Sequence, residues 1–153
     1  MNGLENEIEV VFQKLEHAED LELPAYESNQ AAGMDLRAAL GEAVTIRPGE
    51  RFLIPTGLRM ALPKGYEAQV RPRSGLAIRH GVTMLNTPGT IDSDYRGELK
   101  VIAVNLGQKA YTVHHGDRIA QMVIAPVVRA GVKQVRKLEE TDRGAGGFGS
   151  TGI

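Results

Sequence analysis

The segment from Asn86 to Glu98, NTPGTIDSDYRGE, carries the carboxylates best placed to do chemistry. Asp92 and Asp94 stand two residues apart, and paired acids of this kind can hold Mg²⁺ or supply a general base. Acids in a turn are more often solvated or bonded to the backbone, and composition alone favours that plainer interpretation by about two to one. Apolar stretches flank the segment, so we expect a hairpin here.

A second candidate lies in the segment RPRSGLA, which begins at Arg71. Ser74 is predicted to be the N-cap of a short helix that runs from Gly75 to His80 and closes at Gly81. A helix N-terminus beside Arg73 is a ready anion site. An ordinary cap next to a surface arginine explains the same residues equally well.

Two further segments carry polar side chains among apolar residues. In AGMDLRA, Asp35 has a strand-like setting, and a buried aspartate needs a partner. It can orient an arginine or act near a metal, although a buried salt bridge is at least as well favoured. In GDRIAQ, Gln121 follows a turn at the entry to a long apolar strand, which by itself is a weak signal.

The C-terminal residues, RGAGGFGSTGI from Arg143, combine five glycines with an arginine, a phenylalanine and two hydroxyls. Glycines let backbone N–H groups turn toward an anion. The segment matches GxGxxG by letter, and it matches the P-loop except that Ser150 stands in the place of lysine. Both motifs require a helix directly afterwards, and too few residues follow. We therefore expect an arm that folds over a site built elsewhere.

Composition narrows the function classes. The chain has 153 residues, no cysteine and a net charge of −1. These values predict one domain with a real core, no disulfide, and no nucleic-acid partner, because nucleic-acid binders usually show a basic excess. The N-terminus lacks a signal-peptide pattern and no apolar run is long enough to span a bilayer, so we expect a cytoplasmic protein without a membrane partner.

Turn signals recur about every ten residues, a spacing that predicts an antiparallel β sandwich or barrel with one short helix. The intervening runs are rich in Val, Ile, Thr and Leu. The predicted strands are Val44–Ile46, Phe52–Ile54, Tyr66–Val70, Val82–Leu85, Leu99–Val104, Tyr111–Val113 and Ile119–Val128.

Taken in order, the five segments AGMDLRA, RPRSGLA, GTIDSDYRGE, GDRIAQ and RGAGGFGSTG resemble the signature motifs of the trimeric deoxyuridine triphosphatases (dUTPases), from residue 32 to residue 152. The resemblance implies an all-β, β-barrel-like jelly roll (a β-clip) in a homotrimer with a swapped C-terminal arm. The expected division is an N-terminal extension at 1–20 that need not be ordered, the β-barrel domain at 21–138 and the arm at 139–153.

The resemblance also implies a reaction, in which dUTP and water give dUMP and pyrophosphate. Such an enzyme keeps uracil out of DNA and supplies dUMP for thymidylate synthesis. Mg²⁺ is expected to be held by the triphosphate and water rather than directly by the protein. Asp92 matches the general base that activates water for attack on the α-phosphorus. The residues implied to hold the phosphates are Arg73, Ser74, Gly75 and Gln121, with Asp35 supporting the arginine network.

Selection of the base and sugar is implied to come from the Asp92 segment. Asn86 and backbone groups of Thr90, Ile91 and Asp92 would pair with uracil, and Tyr95 would lie against the deoxyribose. Lys100, just past this segment on the next strand, is implied to be a further substrate contact. The arm would add a second catalytic residue, Arg143, which would reach the phosphates as an arginine finger does. Phe148 would stack on the uracil ring, and Gly149, Ser150 and Thr151 would donate to the γ-phosphate.

Two rival functions share parts of this pattern. A deoxycytidine triphosphate deaminase has the same fold, but it releases ammonia and does not need the glycine-rich arm. A non-catalytic nucleotide-binding trimer would keep the pocket and the arm but could lose the base, and the presence of Asp92 argues against it.

Overall fold

The computed structural model describes residues 7–152, in which β-strands predominate. One α-helix, α1 (Ser74–His80), and one turn of 3-10 helix, Glu16–Ala18, accompany them. The strands are β1 (Val11–Lys14), β2 (Gly33–Arg37), β3 (Val44–Ile46), β4 (Arg51–Pro55), β5 (Leu58–Ala61), β6 (Tyr66–Arg71), β7 (Val82–Met84), β8 (Gly89–Asp92), β9 (Lys100–Asn105), β10 (Tyr111–Val113) and β11 (Arg118–Pro126).

The strands pair antiparallel in two larger sheets and two strand pairs. The larger sheets have the orders β2-β11-β6-β8 and β4-β9-β7, and the pairs are β1-β5 and β10-β3. Side chains alternate between core and surface with the period of two that a half-buried strand requires, as in β2, where Met34 and Leu36 are buried. Residues from both larger sheets and both pairs meet in one apolar core. The predicted all-β class is therefore confirmed.

The N-terminal boundary predicted at residue 20 is wrong for the part that the structure describes. Strand β1 pairs with β5 from Val11 opposite Ala61 to Lys14 opposite Leu58. Ala18 in the following 3-10 turn is only 1% exposed. Residues 11–18 are thus part of the domain, and residues 1–6 of the expected extension lie outside the described residues. Strand β1 was not predicted because charged residues surround it and it has only four residues.

The segment from Asn86 to Glu98 is not the simple hairpin predicted. Its flanking strands, β7 and β9, do pair antiparallel, with Val82 opposite Asn105. Between them, however, β8 crosses to the other sheet and pairs with β6. This crossing makes β8 the edge strand of the four-stranded sheet.

Helix α1 lies where it was predicted, but its N-cap differs. Arg73, with an extended backbone (φ −98°, ψ 132°), is the N-cap, and Ser74 is already the first helical residue. The predicted Ser74 cap is therefore wrong. The helix ends as expected at Gly81, whose φ of 67° is left-handed and whose N–H donates to the Ala77 carbonyl.

The chain leaves the body of the domain earlier than residue 139. Strand β11 ends at Pro126, and the Val127 N–H donates to the Gly65 carbonyl. Residues 128–145 are then exposed without a break, so the predicted boundary at 138/139 falls too late. None of the helices within residues 7–152 is long and apolar enough to cross a membrane.

Candidate functional site

The free edge of β8 borders a cavity of about 330 Å³. Along this strand Gly89 and Ile91 are buried whereas Thr90 and Asp92 are exposed, so the strand alternates between the core and the outer face. The lining residues are Leu53, Val70, Met84, Asn86, Gly89, Thr90, Ile91, Asp92, Tyr95, Glu98, Leu99 and Lys100. The structure therefore brings together the residues of the GTIDSDYRGE segment that were predicted to select the base and the sugar, along with Asn86 and Lys100.

Tyr95 is fixed at this cavity by two hydrogen bonds and one glycine. Its N–H donates to the Asp92 carbonyl and its hydroxyl donates to the Glu98 carbonyl, each at 3.1 Å. A Cβ atom at Gly97 would overlap the Tyr95 ring. Gly97 is thus required because the Tyr95 ring occupies the place where a Cβ atom of residue 97 would be.

Glu98 was not singled out from the sequence, yet it is one of the residues that line the cavity. Its Oε1 accepts a hydrogen bond from the Gly57 N–H at 2.9 Å, and its Oε2 lies 3.9 Å from the Lys100 Nζ. The one sequence signal for Glu98 was its position directly before an apolar residue, Leu99, which is only 2% exposed in the structure. A carboxylate beside a buried residue needs a partner.

A second cluster gathers the polar residues of three other motifs. The Arg73 Nε lies 3.1 Å from the Asp35 Oδ1, and the Arg118 Nη1 lies 3.7 Å from the Asp35 Oδ2. Arg73 also donates to the Arg118 carbonyl at 3.2 Å. Asp35 therefore orients two guanidinium groups beside the start of α1, where Ser74 and Gly75 stand. Glu27, which the sequence did not indicate, lies 3.7 Å from Arg118.

Gln121 joins the same cluster from the middle of the sheet. It pairs with Asp35 on one side and with Arg71 on the other. Its Nε2 donates to the Pro72 carbonyl at 3.0 Å, just before the helix. A Cβ atom at Gly33 would come within 2.7 Å of the Gln121 Oε1, so the glycine of AGMDLRA makes room for this side chain.

The two groups of residues are separated within the chain. Asp92 pairs with Glu67 near the start of β6, whereas Arg71 at the end of β6 pairs with Gln121. Asp92 and Asp35 are therefore four residues apart along the strands and three strands apart across the sheet, or roughly 20 Å at the usual spacings of 3.3 and 4.8 Å. None of the residues of the arginine cluster is among those that line the cavity of the same chain.

The glycine-rich arm lies apart from both groups. The Arg143 Nε donates to the Gly146 carbonyl at 2.8 Å, so this guanidinium bonds within the arm. Phe148 has a left-handed φ of 51°, and its side chain is fully exposed. Gly149, Ser150 and Thr151 are exposed as well.

The sequence was compared with known proteins. A family model described as dUTPase matches residues 19–152. The chain belongs to the dUTPase family. Deoxyuridine 5'-triphosphate nucleotidohydrolase from Desulfotalea psychrophila is 57% identical to it over 98% of this chain and 100% of the relative. The enzyme of the same description from Rhizobium meliloti is 62% identical over 91% of this chain and 88% of the relative.

Solved structures agree with the dUTPase assignment. The Staphylococcus bacteriophage 80alpha dUTPase, solved with dUPNHPP, superimposes with a TM-score of 0.84 at 26% identity, covering 95% of this chain and 99% of that one. A mutant dUTPase from phage phi11 of S. aureus, described with a structural Mg(II) ion, has the same fold with a TM-score of 0.77 at 24% identity, covering 87% of this chain and 100% of that one.

Proposed function

We propose that this protein hydrolyses dUTP to dUMP and pyrophosphate. The observation that carries the proposal is the cavity at β8, where Asn86, Asp92 and Tyr95 line one space beside an unpaired strand edge. The family assignment over residues 19–152 supports it. A cavity of about 330 Å³ is of the size that takes a small ligand such as a nucleoside.

The edge of β8 is suited to recognise a pyrimidine. An edge strand leaves one row of N–H and C=O groups unpaired within its sheet, and an added partner can bond to them as another strand would. Thr90, Ile91 and Asp92 offer these groups, and the Asn86 amide adds one donor and one acceptor. Cytosine has the opposite pattern of donors and acceptors, so it would leave buried polar groups unpaired.

The roles of the charged residues follow from their chemistry. Asp92, exposed at the cavity, would accept a proton from the water that attacks the α-phosphorus, with the electron pair of the broken P–O bond leaving on pyrophosphate. Arg73 and the N–H groups of Ser74 and Gly75 would bind phosphate oxygens, because guanidinium groups and helix starts favour anions. Asp35 would hold the Arg73 guanidinium through their direct contact, and Gln121, which donates to the Pro72 carbonyl, would hold the backbone just before Arg73 and assist near the phosphates.

Because the two groups lie roughly 20 Å apart in one chain, we propose that each active site combines residues of different copies in a homotrimer. The exposed segment 128–138, which precedes the arm, supports a site shared between copies. Val128, Val132 and Leu138 are 95%, 97% and 80% exposed, so this segment leaves apolar side chains without cover on its own chain. A segment of this kind is typical of a surface that packs on a neighbouring subunit. The arm beyond it would then close over a site formed by other copies.

Mg²⁺ is proposed to bind through the triphosphate and water. Oxygen ligands from phosphates and water are those that Mg²⁺ prefers. Within residues 7–152, no three histidine or acidic side chains gather closely enough to hold a metal ion. When bound, Mg²⁺ would neutralise part of the phosphate charge.

The test is an assay of the purified protein with dUTP and Mg²⁺, in which pyrophosphate release is expected. Parallel assays with dCTP, dTTP and UTP should give little product. Release of ammonia from dCTP without pyrophosphate from dUTP would show a deaminase instead. Tight binding of dUTP with no product would show a nucleotide-binding protein without catalysis.

A further inference from the structure

Glu98 connects the cavity to the N-terminal segment, which we define as residues 11–20. Besides the Gly57 N–H, its Oε1 bonds the His17 Nε2 at 2.5 Å. The Glu98 side chain is only 16% exposed, so its carboxylate is partly shielded from water, although the His17 ring is more exposed. His17, which is 81 positions from Glu98 in sequence, thereby contacts a residue of the cavity lining.

The N-terminal segment is itself held firmly at Gly57. The Leu15 N–H donates to the Gly57 carbonyl at 2.7 Å. Gly57 has a left-handed φ of 66°, and a Cβ atom there would overlap the Ala18 side chain. His17 stands between these two contacts, so its ring has a fixed place from which to bond Glu98.

The other side of Glu98 faces the groups that border the cavity. Its carbonyl accepts the Tyr95 hydroxyl, and its carboxylate is the nearest counter-charge to Lys100, with the Oε2 3.9 Å from the Nζ. A displacement of Glu98 would therefore move the Tyr95 ring and release the Lys100 ammonium group together. Both side chains line the space in which a nucleoside would sit.

We propose that Glu98 is a positioning residue for nucleoside binding and sugar selection, and that His17 anchors it from the N-terminal segment. The proposal rests on the proposed function. Glu98 and His17 act through Tyr95 and Lys100 without taking part in bond breaking. Their loss should weaken binding of the nucleoside in ground state and transition state alike, which raises KM and leaves kcat unchanged.

Glu98→Gln is the sharpest variant, because glutamine keeps an oxygen for the Gly57 N–H and so preserves the fold. We expect the KM for dUTP to rise about tenfold, the size of one charged hydrogen bond, with kcat within about twofold. Preference for dUTP over UTP should also narrow slightly, because residue 98 is held less firmly and its backbone carbonyl, which accepts the Tyr95 hydroxyl, can then shift. His17→Gln should change KM in the same direction. The double variant should be no worse than Glu98→Gln alone, because the two residues act as one unit.

Two control variants separate positioning from general loosening. His115→Gln removes the contact of His115 with Asp20, 2.9 Å long, at the other end of the same segment. Glu50→Gln alters a carboxylate that likewise accepts a backbone N–H, from Arg47, but in a turn outside the cavity lining. Both should keep the wild-type KM. Thermal unfolding of each variant confirms that it is folded at the assay temperature.

The outcomes are distinct. Unchanged KM and sugar preference in folded Glu98→Gln would overturn the proposal, as would an equal rise in KM for His115→Gln or additive effects in the double variant. If the wild-type protein releases no pyrophosphate, the proposed function fails. The positioning proposal is then decided by the Kd of a non-hydrolysable imido analogue of dUTP, which should rise in Glu98→Gln and His17→Gln only.

Discussion

At the residue scale, the site depends on which face of a strand a side chain occupies. Along β8, Ile91 is buried and Asp92 is exposed, although both border the cavity. A shift of the strand by one residue would exchange them. The sequence could indicate Asp92 because its motif is distinctive. It could not indicate Glu98, whose role depends on contacts with Gly57 and His17 that are distant in sequence.

Substitution of Asp92 by asparagine tests the proposed general base. The amide cannot accept the proton of the attacking water, so kcat should fall by at least about 10²-fold. Binding of a non-hydrolysable dUTP analogue should persist, because asparagine has the same shape. The measurements are pyrophosphate release and calorimetric titration.

Asp94→Asn is the matched control, since Asp94 is an exposed carboxylate in the same loop. It should retain near-normal turnover. Comparable loss in both variants would point to a general effect of charge at the loop, and near-normal turnover in Asp92→Asn would remove Asp92 from the mechanism.

At the element scale, the strands with strong β-branched runs were predictable from the sequence, and the short or charged ones were not. β3 and β10 lie within their predicted bounds. β1 (VFQK) and β5 (LRMA) were missed because they have only one β-branched residue between them and each obtains its stability from pairing with the other. The path of β8 was missed for a different reason. Turn chemistry predicts a reversal of the chain, but it does not specify which sheet the intervening residues join.

The contact between Asp20 and His115 gives the N-terminal segment a dependence on pH. The hydrogen bond with His115 lowers the pKa of Asp20 below its ordinary value of 3.8. A carboxyl with a depressed pKa contributes stability above its unfolded value, and that contribution is lost as the pH falls through the folded value. Because Asp20 is fully exposed, the contribution is small.

We therefore expect wild type to be slightly more stable than Asp20→Asn near pH 6 and the two to converge below pH 3.8. The test is to measure the thermal unfolding of both proteins at a series of pH values from 6 to below 3.8. Glu19→Gln, at the neighbouring exposed carboxylate, should parallel wild type throughout. A constant difference between wild type and Asp20→Asn at every pH would show that the ion pair is not responsible.

At the scale of the whole molecule, the arm is a part that the domain can lose without unfolding. The hydrogen bonds described for residues 141–152 join residues of the arm itself. Removal of everything after Glu140 should therefore leave the melting temperature nearly unchanged. Turnover should fall by at least about 10²-fold, because the donors that the arm is proposed to place on the phosphates are lost.

A chain that ends after Thr151 is the control for this truncation. It keeps Arg143, Phe148 and the hydroxyls, so its turnover should stay close to that of the full chain. Thermal melts and initial rates with dUTP decide the question. Normal hydrolysis by the chain that ends at Glu140 would contradict the role of the arm.

The separation between cavity and arginine cluster leads to a prediction about mixed oligomers. Asp92→Asn and Arg73→Ala should each be nearly inactive alone. If a site takes its cavity from one copy and its arginine cluster from another, random mixed trimers contain intact sites. About one site in four would then have an intact Asp92 from one copy and an intact Arg73 from another, because each of the two copies carries the intact residue in half of the cases.

Co-refolding of the two variants should thus restore about a quarter of wild-type turnover, whereas each refolded alone should stay inactive. Arg79→Ala, which alters an exposed arginine of the same helix, replaces Arg73→Ala in the control mixture. That mixture should reach about half of wild-type turnover, because only the Asp92 sites are lost. A site contained within one chain gives no restoration at all, since every chain in the first mixture lacks one of the two residues. The mixing experiment therefore distinguishes a shared site from a contained one by rate alone.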